Sequence, residues 1–315
     1  MFNHPSLKSI FKFIILSCGF FLTYSLEALT FHLPAQGNVV GALQTVQVKH
    51  GESLADVGRR FDIGVYEMIE ANPELDPWAP MAGAMVVIPS QFILPTEERK
   101  GIVLNLAEMR LYYYHSNQRE VSTFPVAIGK KGWATPIGAT QVLRKEKDPS
   151  WYPPASIREE HLKKDGEDLP EVIPAGPDNP LGKYKMQLAL PGYLIHGTNR
   201  PGGIGIRTSH GCIRLAPADI EALFNMVEVG TPVKIIHEPF KIGHLGDTFY
   251  LEAHQPLSEL REAPAKLMAH LSRVLTHSTL KQGLEINWPE VEHMARQFLG
   301  YPVAITTPKT MTPSF

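Results

Sequence analysis

The chain has 315 residues, of which 43% are hydrophobic and 20% are charged, as is ordinary for a folded protein of two or three domains. Its formal net charge of -2 lacks the strong basic excess of a general nucleic-acid-binding protein, so we expect no nucleic-acid partner. The 27 prolines and 25 glycines indicate many turns and argue against a largely helical fold.

The N-terminus has the order of a secretory signal peptide. Lys8 and Lys12 precede an uncharged apolar stretch over residues 13–26. We therefore assign residues 1–30 to a signal peptide or an N-terminal anchor, and we expect membrane contact only if this segment is not cleaved. The segment predicts an exported protein, and it contains Cys18, one of the two cysteines.

Residues 44–89 have the pattern of a small α+β domain. Alternation over 45–48 predicts one short strand, and residues 83–88 predict another. Between them, Ser53 is placed to cap a helix that has Asp56 at its third position, and a second short helix follows. The predicted order is strand, helix, helix, strand.

This segment resembles a LysM module. The matching residues are Val48, Gly51, Ser53, Leu54, Ile69, Asn72-Pro73 and Val87-Ile88-Pro89. LysM modules bind glycans that contain N-acetylglucosamine, including peptidoglycan, so the resemblance implies a glycan strand as a partner. The alternative is a small packing domain without a ligand, because the motif is short and degenerate. The proline-containing loop 76–82 departs from the pattern.

Residues 100–237 have the pattern of a β-rich domain. Strand-like runs cover 102–106, 110–114, 121–128, 140–143, 186–189, 194–195 and 232–236. One clear helix is predicted over 217–226, and the segment 145–180 is predicted to be rich in loops. Residues 238–315 form a C-terminal extension of unknown role, for which we predict a strand over 248–252 and helices over 260–274 and 288–299.

Cys212 is the single cysteine outside the N-terminal stretch. An exported protein with one thiol cannot form an internal disulfide, which leaves a buried bystander, an intermolecular link, a metal ligand or a nucleophile. The neighbouring sequence favours a nucleophile. It is Ser209-His210-Gly211-Cys212-Ile213-Arg214-Leu215, with a second His-Gly pair, His196-Gly197, upstream.

A thiol at its ordinary pKa is mostly protonated at neutral pH and needs a base to become a strong nucleophile. His196, which follows the strand pattern Tyr193-Leu194-Ile195, and His210 are both candidate bases. The two histidines and Cys212 can also bind zinc, but no fourth ligand stands at a convincing spacing. We therefore expect neither a metal nor another cofactor.

The backbone around the thiol also suits acyl chemistry. The amide groups of His210, Gly211 and Cys212 can converge on a developing oxyanion, because they follow one another on one tight loop. Arg214 adds a positive charge that can hold a substrate carboxylate.

These motifs resemble the signature of L,D-transpeptidases with a YkuD-type catalytic domain. The matching runs are His196-Gly197-Thr198, the run from Ser209 to Leu215, Pro125-Val126-Ala127-Ile128-Gly129, Ala134-Thr135-Pro136-Ile137-Gly138 and Pro149-Ser150-Trp151. With the LysM-like segment before them, the layout is similar to the ErfK/YbiS-like branch. The resemblance implies a mainly β catalytic domain, a β-sandwich with one notable helix, beside a small α+β domain of order βααβ.

The resemblance also implies residue roles. Cys212 would be the nucleophile and His196 the general base, oriented by the carbonyl of Gly197. Ser209, His210 and Gly211 would shape the loop and its oxyanion hole. The residues expected to bind substrate are Arg214, Gly197, Thr198 and Tyr193.

The activity implied by the resemblance is peptidoglycan L,D-transpeptidation in the Gram-negative periplasm. Cys212 would attack the third residue of a stem tetrapeptide, release D-Ala, and pass the thioester to an amine of a second stem peptide or of an envelope protein. Transfer to water would instead give an L,D-carboxypeptidase or a cleaving hydrolase. A non-catalytic peptidoglycan-binding protein is the other alternative, against which the intact His196 and Cys212 argue. Because contacts between domains are usually modest, we expect removal of residues 44–89 to leave activity on small soluble substrates in place.

Overall fold

The structure is a computed structural model that describes residues 28–279 and 284–308. The predicted signal segment up to residue 27, with Cys18, lies outside the described residues. Within the described ranges, no helix is both long enough and apolar enough to cross a bilayer.

The elements are numbered in chain order. The strands are β1 (Leu29–His32), β2 (Val39–Gly41), β3 (Gln44–Gln47), β4 (Met85–Ile88), β5 (Gln91–Ile93), β6 (Gly101–Asn105), β7 (Arg110–Tyr114), β8 (Glu120–Pro125), β9 (Ile128–Gly129), β10 (Gly138–Lys147), β11 (Tyr184–Leu188), β12 (Leu194–His196), β13 (Arg207–Ser209), β14 (Ile213–Arg214), β15 (Pro232–Ile236), β16 (Phe240–Leu245), β17 (Thr248–Ala253), β18 (Leu284–Ile286), β19 (Val303–Ala304) and β20 (Thr306–Pro308). The helices are α1 (Leu54–Arg60), α2 (Val65–Ala71), α3 (Ala155–Asp165), α4 (Pro217–Met226), α5 (Pro264–Thr279) and α6 (Trp288–Gln297).

A nine-stranded sheet organises the catalytic part, with the order β1-β8-β7-β6-β15-β10-β11-β12-β14. Neighbouring strands are antiparallel except for β15 with β6 and β12 with β14, which are parallel. Successive side chains of a strand point to opposite faces. Accordingly, Ile102 and Leu104 enter one core, whereas Val103 between them enters another. The sheet is therefore covered on both faces.

The first core joins the two halves of this sheet. Leu111 and Phe124 from β7 and β8 share it with Met186, Ile195 and Ile213 from β11, β12 and β14. The sheet thus folds over onto itself, and α4 closes the core with Ile220 and Leu223. The predicted mostly β architecture and the predicted helix over 217–226 are confirmed.

The predicted order over residues 44–89 is observed as β3, α1, α2 and β4, with β3 and β4 antiparallel. Ser53 caps α1 as predicted, since its side chain accepts from the amide of Asp56 while its own amide donates to the Asp56 carboxylate. We call residues 44–89 the βααβ unit. Its apolar side chains share one core with Val103, Tyr112 and other residues of the large sheet. The expected modest contact between the two parts is therefore wrong.

Residues after 238 build a third core. β16, β17 and β19 form a sheet against which α5 and α6 pack, with Leu251, Leu271 and Met294 among the buried side chains. The strand and both helices predicted for this extension are present. A buried charge cluster joins the extension to the rest. Lys241 lies 2.8 Å from Glu108 on one side and 2.8 Å from Glu252 on the other.

Two sequence expectations need correction. The segment 145–180 is not only loop, because it contains α3, so the catalytic part has a second helix beside α4. No side chain of α3 is buried, which explains why its sequence lacks an apolar stripe. The range 1–30 extends two residues into β1, where Leu29 pairs with Thr123 and Thr30 with Ser122.

Candidate active site

The site is built on the parallel pair β12 and β14. Ile195 is opposite Ile213 and His196 is opposite Arg214 in this ladder. The two isoleucines enter the first core. Because side chains alternate along a strand, His196 and Arg214 lie on the other face, and Cys212 directly precedes β14.

His196 is buried, with 3% of its surface exposed. Its Nδ1 lies 2.6 Å from the carbonyl oxygen of Gly197. A carbonyl only accepts hydrogen bonds, so Nδ1 carries the proton and Nε2 is left as an acceptor in the neutral ring. Burial, followed by repulsion from the Arg214 guanidinium, lowers the pKa of His196 to about 3. The imidazole is therefore neutral at physiological pH, although its hydrogen bonds with the backbone of Gly197 and Leu181 act to raise its pKa.

Cys212 is half-buried, and its Sγ lies 3.7 Å from the carbonyl oxygen of Gly192. Burial raises the pKa of the thiol, while a hydrogen bond from the Leu194 backbone and the charge of Arg214 act in the opposite direction. Together with the lowered pKa of His196, this describes a resting site of neutral thiol and neutral imidazole. At rest the two groups are therefore not a thiolate–imidazolium ion pair.

Ser209 organises the catalytic loop, which we define as residues 209–212. Its hydroxyl donates to the carbonyl of Cys212 at 2.5 Å and accepts from the amide of Gly211 at 3.1 Å. The Gly211 amide is thus occupied within the loop, contrary to the expectation that it faces an oxyanion. Of the three predicted oxyanion donors, the amides of His210 and Cys212 therefore remain.

Gly211 is required by both its backbone and its surroundings. Its φ of +103° is one that residues with a side chain rarely adopt. A Cβ at this position would lie 2.8 Å from the ring of Tyr193. Its carbonyl accepts a 2.8 Å hydrogen bond from the Thr135 hydroxyl. Tyr193 therefore packs on the backbone of the catalytic loop, while Thr135 supports it from the other side.

His210 faces α3. Its Nε2 lies 2.8 Å from Glu160 and 3.2 Å from the Nζ of Lys130, and its ring stands edge-on to Trp133 at 4.8 Å. Lys130 also contacts Glu160. Burial lowers the pKa of His210, against the opposing effect of the Glu160 carboxylate. These contacts favour a supporting role for His210.

The remaining predicted residues have distinct environments. Arg214 is half-buried, and its Nε is a buried donor without a hydrogen-bond partner among the described residues. Thr198 is buried, and its hydroxyl accepts from the amide of Arg200 at 3.0 Å, so it stabilises the turn after His196. Gly197 packs against Ile220, whose Cγ2 would lie 3.1 Å from an added Cβ.

Sequence reasoning missed Lys130, Glu160 and Thr135. Thr135 lies within a run that carries the family resemblance, which is a usable signal. Lys130 and Glu160 are ordinary surface charges in sequence, and only the fold brings them to His210.

One group of carboxylates and histidines in the described part of the chain has metal-ligand spacing, namely Glu108, Glu252 and His254. The ammonium of Lys241 lies 2.8 Å from each of the two carboxylates, and His254 donates to Glu252 at 2.8 Å. Lys241 thus already supplies the positive charge that a cation would bring.

Known proteins match this chain in sequence. The family described as the L,D-transpeptidase catalytic domain, YkuD, matches residues 99–235. A protein of Salmonella typhimurium named probable L,D-transpeptidase ErfK/SrfK is 40% identical over 287 residues, which cover 89% of this chain and 92% of that protein. The probable L,D-transpeptidase YbiS of Escherichia coli K12 is 43% identical over 257 residues, which cover 80% and 83% respectively.

Among solved structures, the catalytic domain from E. faecium L,D-transpeptidase is 27% identical, with a TM-score of 0.34, and the match covers 45% of this chain and 100% of that one. The two sequence relatives match over more than four fifths of their own length. Their similarity extends beyond residues 99–235, the segment that contains both His196 and Cys212. The chain therefore belongs to the family of L,D-transpeptidases with a YkuD catalytic domain.

Proposed function

We propose that this chain is a peptidoglycan L,D-transpeptidase in which Cys212 is the nucleophile and His196 the general base. The observation that carries the proposal is the pairing of β12 with β14, which places His196 at the end of one strand and Cys212 directly before the other. The hydrogen bond from His196 Nδ1 to Gly197 supports it, because it leaves Nε2 unprotonated.

In the first half-reaction, His196 Nε2 takes the proton of Cys212 as Sγ attacks the carbonyl carbon of the third residue of a stem tetrapeptide. The amides of His210 and Cys212 stabilise the resulting oxyanion. When the intermediate collapses, the C–N bond to D-Ala breaks, and His196 returns the proton to the leaving amine. The products are a thioester on Cys212 and free D-Ala.

In the second half-reaction, an acceptor amine attacks the thioester. His196 removes a proton from this amine, the new amide bond forms, and the C–S bond breaks. The thiolate of Cys212 then takes the proton from His196. We propose a second stem peptide or a lysine of an envelope protein as the acceptor, because both present a primary amine.

Arg214 is proposed to bind a carboxylate of the stem peptide. Its Nε is buried without an acceptor, and a buried unpaired donor is costly unless a ligand satisfies it. The same charge stabilises the thiolate that forms on Cys212 during each cycle.

The test is incubation of purified protein with disaccharide tetrapeptide, followed by mass spectrometry of the intact protein and of the products. We expect an adduct on Cys212 and, with tetrapeptide alone, cross-linked dimers and free D-Ala. Tripeptide without dimers would exclude a second stem peptide as the acceptor, and the absence of a linked product when a lysine-containing acceptor peptide is also present would contradict transpeptidation. Cys212→Ala is the control, and it should give neither adduct nor product.

We further propose that the βααβ unit binds the glycan strand through the loop 76–83. Trp78 and Met81 in this loop are 71% and 80% exposed. The loop is nevertheless held in place. Asp76 accepts from the amide of Trp78 at 2.9 Å, and the carbonyl of Pro77 accepts from the amide of Leu54 at 2.9 Å. An exposed indole on a backbone held in this way provides a flat apolar surface on which a sugar ring can stack.

Binding of Trp78→Ala to isolated peptidoglycan sacculi tests this proposal. We expect at least a fivefold loss of affinity without a change in the rate at which Cys212 is acylated by a soluble substrate. Val229→Ala is the control, because Val229 is 61% exposed on a turn outside the βααβ unit. Equal binding of the two variants would contradict the role of Trp78.

The proposed substrate lies outside the cytoplasmic membrane, so the protein must be exported. We propose the periplasm as its location, since the N-terminal segment has the order of a signal peptide. Cleavage after Ala28 would leave β1 intact, whereas cleavage after Ala35 would remove it from the sheet.

A further inference from the structure

Helix α2 of the βααβ unit begins against the segment that joins the two halves of the active site. We call residues 197–208, between His196 and Ser209, the connecting segment. The first two amides of α2, those of Val65 and Tyr66, donate to the carbonyls of Ile204 at 3.4 Å and Gly205 at 3.1 Å. The opening amides of a helix have no partner within the helix. Here the connecting segment supplies their acceptors.

The two backbones are in direct contact at this point. A Cβ on Gly205 would lie 2.3 Å from the nitrogen of Val65 and 2.4 Å from the Cα of Gly64. Gly205 also has a φ of +80°, and its amide donates to the carbonyl of Val126 at 3.2 Å. The connecting segment is therefore held between α2 and the end of β8, with no room for a side chain.

Glu67 fixes the start of α2. Its Oε2 accepts from the amide of Gly64 at 2.7 Å, and its carboxylate receives two hydrogen bonds from Arg110, at 2.6 and 2.9 Å. Both side chains of this ion pair are almost fully buried. Arg110 belongs to β7 and donates a further hydrogen bond to the carbonyl of Asp62 at 2.9 Å. The pair thus ties the βααβ unit to the catalytic sheet.

A second contact reaches the other side of His196. The carboxyls of Asp62 in the βααβ unit and of Asp219, in the first turn of α4, are both buried, and burial, followed by the charge of Asp62, raises the pKa of Asp219 to about 8. Each of the two carboxyls has one buried oxygen without a hydrogen-bond partner among the described residues. The next residue of α4, Ile220, packs against Gly197, whose carbonyl orients the imidazole of His196.

We propose that the βααβ unit positions the catalytic groups, with Val65, Glu67 and Gly205 as positioning residues. The unit holds the connecting segment, and with it the distance and angle between His196 and Cys212. The proposal goes beyond glycan binding, because it makes acylation of Cys212 depend on this unit even for a substrate that carries no glycan. It rests on the proposed role of Cys212 as nucleophile.

Val65→Pro tests the contact with little change to the helix itself. Proline is well tolerated at the first helical position, and the preceding Gly64 has a ψ of 159°, which suits a residue before proline. The substitution removes the amide that binds Ile204. Val65→Ala is the matched control, because it also removes the side chain but keeps the amide. A second pair is Gly205→Ala with Gly202→Ala as control, since nothing lies within 4 Å of a Cβ on Gly202.

The measurement is the rate of acylation of Cys212 by a soluble tetrapeptide without sugars, at a temperature where circular dichroism shows each variant to be folded. We expect kcat to fall by about ten- to a hundredfold in Val65→Pro and Gly205→Ala relative to their controls, with KM within about threefold, as small displacements of reacting groups produce. A defect confined to stability would lower the melting temperature but leave kcat of the folded protein unchanged.

Two results would overturn this inference or its premise, and they are distinguishable. If wild-type Cys212 is acylated and folded Val65→Pro reacts within twofold of Val65→Ala, the positioning role is wrong. If wild-type Cys212 is not acylated at all, the proposed nucleophile is wrong. Should Gly205→Ala not fold, the Val65 pair decides the question alone.

Discussion

Acidification should destabilise the folded protein because His196 is protonated more easily in the unfolded chain. A substitution of His196 measures this contribution separately from those of other groups. Burial and the charge of Arg214 lower the pKa of His196 from 6.5 to about 3. At ~1.4 kcal/mol per pKa unit, protonating this ring in the folded state costs roughly 5 kcal/mol more than in water. Between pH 6.5 and pH 3 the unfolded chain binds a proton here that the folded chain does not bind. The free energy of unfolding therefore falls as the pH falls through this range.

The magnitude can be tested at pH 7 and pH 4.5. At pH 4.5, two units below the ordinary pKa of histidine, the contribution of His196 is a loss of about 3 kcal/mol. Denaturant unfolding of the wild type and of His196→Gln at both pH values gives this contribution as a difference of differences. Other groups that titrate in this range, such as Asp62 and Glu70, are present in both proteins and cancel.

We expect His196→Gln to lose about 2 to 3 kcal/mol less than the wild type on acidification. Equal losses would show that His196 is protonated in the folded protein near its ordinary pKa, which would refute the lowered pKa. The kinetic counterpart is the rate of acylation of Cys212 by a carbapenem. Because His196 is neutral and the thiol pKa is raised, this rate should show no inflection at pH 6.5. An inflection there would likewise refute the lowered pKa of His196.

Three further outcomes are expected. Cys212→Ala should abolish turnover and the carbapenem adduct, both read by mass spectrometry, and any remaining turnover would exclude Cys212 as nucleophile. His196→Ala should lower acylation by about two to four orders of magnitude, and His210→Ala by far less, in stopped-flow assays; the reverse order would assign the base to His210. Deletion of residues 44–89 should prevent folding, because it removes one side of the second core, and a folded, active truncation detected by circular dichroism and activity would contradict this.

The local features of the site were predictable because each depends on residues that are close together in sequence. The Ser-His-Gly-Cys run and the strand before His196 are continuous in sequence, and the cap of α1 needs only Ser53 and Asp56. The use of the Gly211 amide by Ser209 was also readable, since a serine hydroxyl commonly binds an amide two residues later. The prediction that all three loop amides form an oxyanion hole did not consider that the Ser209 hydroxyl binds one of them.

The position of α3 was not predictable in the same way. All its side chains are partly or fully exposed, so its sequence has no apolar period to mark it as a helix. Its role at the site depends on Glu160, which meets His210 from 50 residues away in sequence. The sequence alone does not distinguish a surface glutamate that contacts such a distant residue from one that contacts only water.

The sequence contains two indications that another unit packs against the catalytic sheet. β6 contains the unbroken apolar run from Ile102 to Leu104, which indicates a strand covered on both faces but does not say what covers the second face. Arg110, in the similarly buried strand β7, indicates that an acidic residue must come from the covering unit, because a buried guanidinium requires an acidic partner. Glu67 of α2 is that partner. Separating the two parts would leave one buried charge unpaired on each surface, so the βααβ unit and the catalytic sheet should unfold in a single transition.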